Sequence, residues 1–399
     1  MSRTLSHQAE GAFIRPRLRV FLSADLIGST QYKIDHAAGH KVDDETSWPL
    51  VTMLFYSQFQ KLFFENFAEW SNRPCTDSGE LRVGPAPKLW KVLGDELIFF
   101  KECWEPREVF GIIQVWRKTL IDFAASWPFD KLKIKSGSWL VGTPIRNWEV
   151  AFLRSELTES DENLSNNPVA FNFHLLKEYY SGNESRKINI DFVGPSMDCG
   201  FRLLGHSDER RMVLSADLVE ILCEEIAWWE RQQFQNLYPP LKFYYSGTET
   251  LKGISRFGIK YPIIWLDNFD GAQPSDTSKY ADAIDKLDSR APVTDSKLRQ
   301  FLATYLADMG GFPSRPYIAF VSEQGEVINT HSELPEEDAQ LIEKYREIYL
   351  SNMEAEKSVQ ESLKSSGSAK GAEPVDLAVL IEQLLRPATH RPLGGKTKS

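Results

Sequence analysis

Trp90-Lys91-Val92-Leu93-Gly94-Asp95-Glu96-Leu97-Ile98-Phe99-Phe100 sets two apolar, strand-like arms on either side of a Gly-Asp pair. Apolar arms around a two-residue Gly-containing turn read as a β-hairpin, so the carboxylate of Asp95 is presented at the tip. A Gly-Asp turn alone is an ordinary solvated turn. What gives it weight is a second carboxylate elsewhere in the chain.

Arg19-Val20-Phe21-Leu22-Ser23-Ala24-Asp25-Leu26-Ile27-Gly28-Ser29-Thr30 is an apolar strand that ends in Asp25 and runs through a glycine and two hydroxyl residues into a helical pattern. Main-chain N–H groups at a loop-to-helix junction have no partner within the helix. Ile27, Gly28, Ser29 and Thr30 therefore suit phosphate oxygens, with Asp25 holding a divalent cation beside them. Asp25 and Asp95 would share the metal ions.

Composition sets the bounds. With 399 residues, 42% of them hydrophobic, the chain can bury one large core or two ordinary ones. A net charge of −10 repels nucleic acid and anionic membrane surfaces, so neither is expected as a partner, and an anionic substrate needs local cations or metal. Cys75, Cys103, Cys199 and Cys223 lack the paired short spacing of zinc or redox motifs. A reducing, cytoplasmic setting and no membrane span are expected. His36 and His40 are spaced as two ligands on one helix turn, but the surrounding residues read as a solvated loop.

In chain order, residues 1–17 read as an arm. A helix is expected over 48–70 with Leu50, Met53, Leu54, Ser57, Leu62, Phe63 and Phe67 facing a sheet, and a loop over 71–87 carries a short strand piece at 80–83. After the hairpin, a helix over 106–126 buries Val109, Ile112, Ile113, Trp116, Leu120 and Phe123, and a strand covers 132–141. The fold class is thus α+β, with a βαββαβ core in an antiparallel sheet flanked by helices.

Residues 143–186 read as a loop-rich insertion with one helix near 170–180. A strand at 187–193 then meets a helix opened by Pro195, on which Asp198 and Arg202 share one face and Met197, Phe201 and Leu204 a neighbouring apolar one. Further elements are expected at 211–214, 217–234, 242–245 and 261–266. A linker over 268–293 leads to a small α+β appendage over 294–350, with helices at 296–309 and 335–350 around a hairpin turning at Gln324-Gly325. From 351 a polar tail should be disordered, ahead of a short helix at 375–385.

The strand with Asp25, the following helix and the hairpin with Asp95 together resemble the catalytic domain of class III nucleotidyl cyclases, over about residues 18–267. The resemblance implies that Asp25 and Asp95, with Ile27, bind two Mn2+ or Mg2+ ions. It implies that Lys91 and Asp191 read the base, that Asp198 and Arg202 follow as catalytic residues, and that Lys252 in Leu251-Lys252-Gly253 reaches the terminal phosphates. Ile27, Gly28, Ser29 and Thr30 would bind substrate. Two departures stand out. Lys135 to Leu140 does not reproduce the family's Ile-Gly-x-His-x-Gly strand, and Asp198 replaces an asparagine, so it can accept but not donate a hydrogen bond when ionised.

The resemblance further implies a homodimer with composite sites. A short chain with these departures is most similar to the pyrimidine cyclases of Pycsar antiphage defence, which implies UTP or CTP as substrate, a cyclic UMP or cyclic CMP product and a separate effector that the product activates. Lys91 and Asp191 can satisfy uracil, cytosine or adenine, so an adenylate cyclase stays open, as does a non-catalytic nucleotide-binding module. The Gly-Asp-Glu turn also resembles the diguanylate cyclase hairpin, a family without the Asp191, Asp198 and Arg202 series.

Overall fold

A computed structural model of the chain describes residues 12–36, 47–73, 83–144, 146–154, 167–181, 187–231, 240–254, 259–268, 292–309, 316–317, 319–321, 327–329 and 335–365. A 3-10 turn (Ala12–Ile14) precedes β1 (Arg17–Ile27) and α1 (Ser29–Asp35). Then come α2 (Trp48–Ser71), β2 (Lys88–Leu93), β3 (Glu96–Cys103), α3 (Pro106–Ser126) and β4 (Lys133–Thr143). β5 (Trp148–Leu153), α4 (Pro168–Tyr180), β6 (Ile188–Val193), α5 (Pro195–Leu203), β7 (Arg211–Leu214) and α6 (Ala216–Arg231) follow. The last elements are β8 (Phe243–Glu249), β9 (Tyr261–Asp267), α7 (Asp295–Asp308), β10 (Ala319–Val321), β11 (Val327–Asn329) and α8 (Glu336–Ser365).

The residues divide into two units, 1–149 with 192–342 and 150–191 with 343–399. In the first, seven strands form one sheet in the order β2-β3-β1-β4-β7-β9-β8. β1 pairs antiparallel with β3 and β4, and only the β4–β7 pair is parallel. This is the expected α+β arrangement, and β1-α2-β2-β3-α3-β4 is the βαββαβ core.

The period of two along β1 decides where everything else goes. Leu18, Val20, Leu22, Ala24 and Leu26 enter the main core, whereas Phe21 stacks on Trp139 of β4 at 5.6 Å on the other face. α2 and α3 supply the main core with aromatic rings in edge contact. Phe59 and Phe63 meet Trp116 at 5.2 and 4.8 Å, and Phe63 meets Phe99 at 5.0 Å. Removing one such ring typically costs about 3–5 kcal/mol. The buried serines are satisfied in series: Trp116 Nε1 donates to Ser136 Oγ at 2.9 Å, and Ser136 Oγ donates to the Ser23 carbonyl at 2.7 Å.

The six apolar residues expected to be buried on α3 are buried, with Phe110 and Val115 besides, whereas on α2 the expectation holds for Phe63 and Phe67 only. Val51, Phe55, Phe59, Phe63, Phe67 and Trp70 are its buried apolar residues, while Met53 is exposed. α2 is apolar on more than one side, so periodicity does not select a face, and the arc with the larger rings takes the core.

The sequence suggested an arm through residue 17, yet Phe13 and Ile14 are buried and the Phe13 carbonyl accepts from Arg17 Nη2 at 3.2 Å. It also suggested an appendage from 294. Instead Leu298, Leu302, Tyr305, Leu306 and Met309, in and just after α7, join the main core, and Val293 N–H donates to the Phe243 carbonyl at 2.7 Å. β10 and β11 pair antiparallel as the expected hairpin, whose turn lies outside the described residues, as do residues 80–82 of the expected strand piece, and Val83 is not in a strand.

In the second unit, α4 is capped by Asn167, whose Oδ1 accepts from Ala170 N–H at 3.1 Å. Asn172 Oδ1 accepts from Ala151 N–H at 2.8 Å, and Phe173 packs edge-on to Tyr349 at 5.9 Å. β5 and β6 form a two-stranded sheet, so the insertion holds a strand that its polar composition did not reveal. α8 continues to Ser365, past the point at 351 where a disordered tail was expected, and the expected helix at 375–385 lies outside the described residues.

Three free cysteines are described, Cys103, Cys199 and Cys223, all buried. Burial pushes the Cys199 and Cys223 thiols up to about 12, which leaves them unreactive. Burial also raises the Asp217 carboxyl to about 6, against a partial offset from the Ser215 side chain and the Leu218 N–H. A carboxyl raised from 3.8 to about 6 on folding destabilises the native state as pH climbs through that interval. At 1.36 kcal/mol per pH unit the penalty reaches about 3 kcal/mol above pH 6. Asp217→Asn, which keeps the acceptor, should match the parent protein's thermal stability near pH 4 and exceed it by several degrees at pH 7.5. Parallel melting curves across that range would contradict the assignment.

Candidate active site

The two aspartates meet because β1 and the hairpin are hydrogen-bonded neighbours. Asp25 lies opposite Glu96 in the β1–β3 register, and Leu26 N–H donates to the Asp95 carbonyl at 3.2 Å. Gly94, with φ 69°, takes the first position of a two-residue turn between Leu93 and Glu96, which leaves Asp95 in the second. The Tyr56 hydroxyl of α2 donates to the Gly94 carbonyl and fixes the tip. Its phenol is raised by burial and by the charge of Asp95.

Each aspartate has its own cation. Lys135 Nζ sits 2.8 Å from Asp25 Oδ2, and Lys33 Nζ lies 3.5 Å from Asp95 Oδ1. Ser29 Oγ donates to Asp95 Oδ2, so α1 holds Asp95 through both its first and its last turn. The Ser29 hydroxyl is thereby directed at the carboxylate, while the phosphate role read from the sequence concerns the main-chain N–H groups of 27–30. Gly28 precedes α1 with φ 85°, and a Cβ there would lie 3.0 Å from the Lys131 carbonyl, so the tight β1–α1 turn requires glycine. Ile27 ends β1 half-buried, and Thr30 is exposed.

Glu96 is a third acid in the group. It accepts from Ser23 Oγ at 2.6 Å, and its carboxyl is raised by burial first and by Asp25 and Asp95, with Ser23 and Lys135 opposing. Among the described residues, no cluster of three or more His, Cys, Asp or Glu has metal-binding geometry. The oxygen groups of Asp25, Asp95 and the Ile27 main chain are the kind that would suit Mg2+ or Mn2+.

A second group forms around Trp90. Lys91 Nζ lies over the Trp90 ring at 4.2 Å, Trp90 packs on Phe201 at 6.4 Å, and Phe201 packs on Trp139 at 5.7 Å. α5 is thus seated on β4, with Arg202 next to Phe201. Arg202 Nη1 donates to the Asp198 carbonyl at 2.7 Å, and the Asp198 carboxylate is exposed. A Cβ on Gly253 would lie 3.9 Å from Arg202 Nη2, which puts the Leu251-Lys252-Gly253 turn beside the guanidinium. Lys91, Arg202 and the Lys252 turn therefore belong to one neighbourhood. Asp191, on β6, belongs to the second unit and is half-buried.

Sequence reasoning missed Lys33, Lys135, Glu96, Tyr56 and Phe201 as site residues. The signal for Lys135 was present, because the departure from the family's strand begins there, and its register opposite Asp25 follows once β4 pairs with β1. Of the histidine pair, His36 stacks on Tyr32 at 4.0 Å and His40 lies outside the described residues.

No family model matches the chain, and no curated protein matches it. Among solved structures, the adenylyl cyclase CyaB from P. aeruginosa is similar at 9% identity, covering 63% of this chain and 94% of that one, with a TM-score of 0.35. The guanylate cyclase domain of RhGC from Catenaria anguillulae, in complex with GTP, is similar at 9% identity, over 63% of this chain and 97% of that one, with a TM-score of 0.36. A bacterial light-regulated adenylyl cyclase is similar at 8% identity over 72% of this chain and 58% of that one, with a TM-score of 0.36. The functional reading therefore rests on the chain's own residues. Among the described residues, no helix is long and apolar enough to cross a membrane.

Two residues before Arg202, a Cβ on Gly200 would fall 2.3 Å from the Trp139 ring. Gly200→Ala must lift α5 from β4, at a cost of about 1–3 kcal/mol. Its melting temperature should fall by several degrees. A value within one degree of the parent would mean that α5 does not pack on Trp139 as described.

Proposed function

We propose that the chain is a nucleotidyl cyclase that converts a nucleoside triphosphate into its 3′,5′-cyclic nucleotide and pyrophosphate. The observation that carries this reading is the meeting of Asp25 and Asp95 at the β1–hairpin junction beside Lys33 and Lys135. Two partly exposed carboxylates, one on β1 and one on the neighbouring hairpin, suit divalent cations that also bind a triphosphate. The βαββαβ core and the spacing of Lys91, Asp95, Asp198 and Arg202 are those that the class III resemblance implies.

Asp25, Asp95 and the Ile27 carbonyl would hold two Mn2+ or Mg2+ ions, which supply activation of the ribose 3′-hydroxyl and charge neutralisation on the triphosphate. The protein's own residues do the rest. Lys91 donates to the base and Asp191 accepts from it, Lys252 meets the terminal phosphates, and main-chain N–H groups from Ile27 to Thr30 line the phosphate path. Arg202 brings a fixed cation to the charge that develops as the 3′-oxygen attacks the α-phosphorus. Asp198, limited to accepting, is suited to a ribose hydroxyl.

UTP is the favoured substrate over CTP, with ATP as the alternative, and a signalling role in antiphage defence with a separate cyclic-nucleotide-activated effector follows the same resemblance. A non-catalytic module is the competing reading. Incubation with each of the four nucleoside triphosphates and Mn2+, with products identified by mass, tests activity and base together. Asp25→Ala and Asp95→Ala should each lower turnover by about two orders of magnitude or more while the fold persists. Substantial activity in either folded variant would remove the metal assignment.

In the proposed homodimer, Asp25 and Asp95 of one protomer work with Lys91, Asp191 and Arg202 of the other. Asp25→Ala and Arg202→Ala proteins, each inactive alone, should regain activity when mixed. Random exchange makes about half the dimers mixed, each with one intact and one doubly damaged site, so roughly a quarter of the sites return. Background activity in a mixture shown by mass to contain mixed dimers would assign both residues to one chain's site.

A further inference from the structure

Lys135 lies directly opposite Asp25 in the antiparallel β1–β4 register, so the sheet places it there, and its Nζ is 2.8 Å from Asp25 Oδ2. Oδ2 is one of the two carboxylate oxygens that a cation at Asp25 can use. The pair is partly solvated, with the side chains 33% and 24% exposed, and ion pairs in that setting contribute little to stability. Its consequence is therefore local charge. Asp25, Asp95 and Glu96 formally bring three negative charges, Lys33 and Lys135 bring two positive ones, and the cluster is left at −1.

We propose that Lys135 is a tethered counter-ion of Asp25 that sets the affinity of the nucleotide-free protein for its first divalent cation, by occupying Oδ2 until the cation displaces it. Lys135 is a positioning residue for that cation, and the proposal rests on Asp25 being a metal ligand. A divalent cation that takes Oδ2 displaces the lysine, and at either oxygen it sits beside the lysine's unit charge. At separations near 5 Å in a wet site, that opposition weakens cation binding on the order of tenfold. Asp95 has its own counter-ion in Lys33 at 3.5 Å, so the effect of Lys135 is confined to Asp25.

The test is Mn2+ binding to the full chain without nucleotide, measured by calorimetry and by the electron paramagnetic resonance signal of free Mn2+. Lys135→Met should tighten Mn2+ about tenfold, and Lys135→Arg, which keeps the charge, should stay within about twofold of the parent. In an Asp25→Asn background the Lys135→Met change should have a clearly smaller effect, because the contact is already gone and only the lysine's charge remains. Unchanged or weaker Mn2+ binding in Lys135→Met, with Asp25→Asn still weakening it, would overturn the counter-ion role and leave the cyclase reading standing. A gain in Lys135→Arg equal to that in Lys135→Met would overturn it also. If Asp25→Asn leaves Mn2+ binding unchanged, the metal assignment fails and takes this proposal with it.

Discussion

Two carboxylates that repel each other are kept together by main-chain bonding, and most of the first unit can be understood as what makes that arrangement tolerable. The hydrogen bond from Leu26 N–H to the Asp95 carbonyl joins the end of β1 to the hairpin tip, and neither aspartate can leave without breaking sheet pairing. Repulsion is offset locally by one lysine on each carboxylate and by the Ser29 hydroxyl. It is offset globally by the core beneath, where Phe55, Phe59, Phe63, Phe99 and Trp116 are fully buried. A sheet fixed that firmly by aromatic packing can hold unfavourable charge at one end, which is how sites of this kind exist in marginally stable proteins.

The sequence made the strand, the hairpin and α3 legible because each had one clean pattern. β1 alternates, the hairpin has its glycine at a turn position, and α3 has one apolar side opened by proline. α2 failed on its buried face for the opposite reason, since apolar residues occur on several sides and only the sheet decides which are covered. The β5 strand and the burial of α7 were invisible in a different way. Both depend on partners far along the chain, Asn172 for the Ala151 N–H and the α6 helix for Leu298 and Leu302, which no local period encodes.

The charge around the proposed site was not legible in the sequence. Asp25, Asp95, Lys91, Asp198 and Arg202 were proposed from the class III resemblance, whereas the lysines beside the two aspartates come from α1 and β4. Lys135 is the instructive case. The class III motif records it as a mismatch, and the register between β1 and β4 turns that mismatch into a contact with Asp25, the first of the two proposed metal ligands. Arg202 shows the reverse. Its helical spacing puts it on one face with Asp198, yet the guanidinium bonds the Asp198 carbonyl and the carboxylate stays exposed.

These local cations resolve an apparent conflict in the charge of the whole molecule. A chain with a formal charge of −10 repels a triphosphate at long range, and the Debye length at physiological salt, about 8 Å, confines that repulsion to the protein's near surface. Within that distance the balance is set by individual side chains. Lys33 and Lys135 nearly neutralise the acidic end of β1, and Arg202 and the Lys252 turn concentrate positive charge beside α5. Screening removes the net charge from the problem while leaving short-range pairs almost intact. An acidic protein can therefore bind an anionic substrate without becoming a general polyanion binder, because selectivity comes from the few places where its lysines and arginines are gathered.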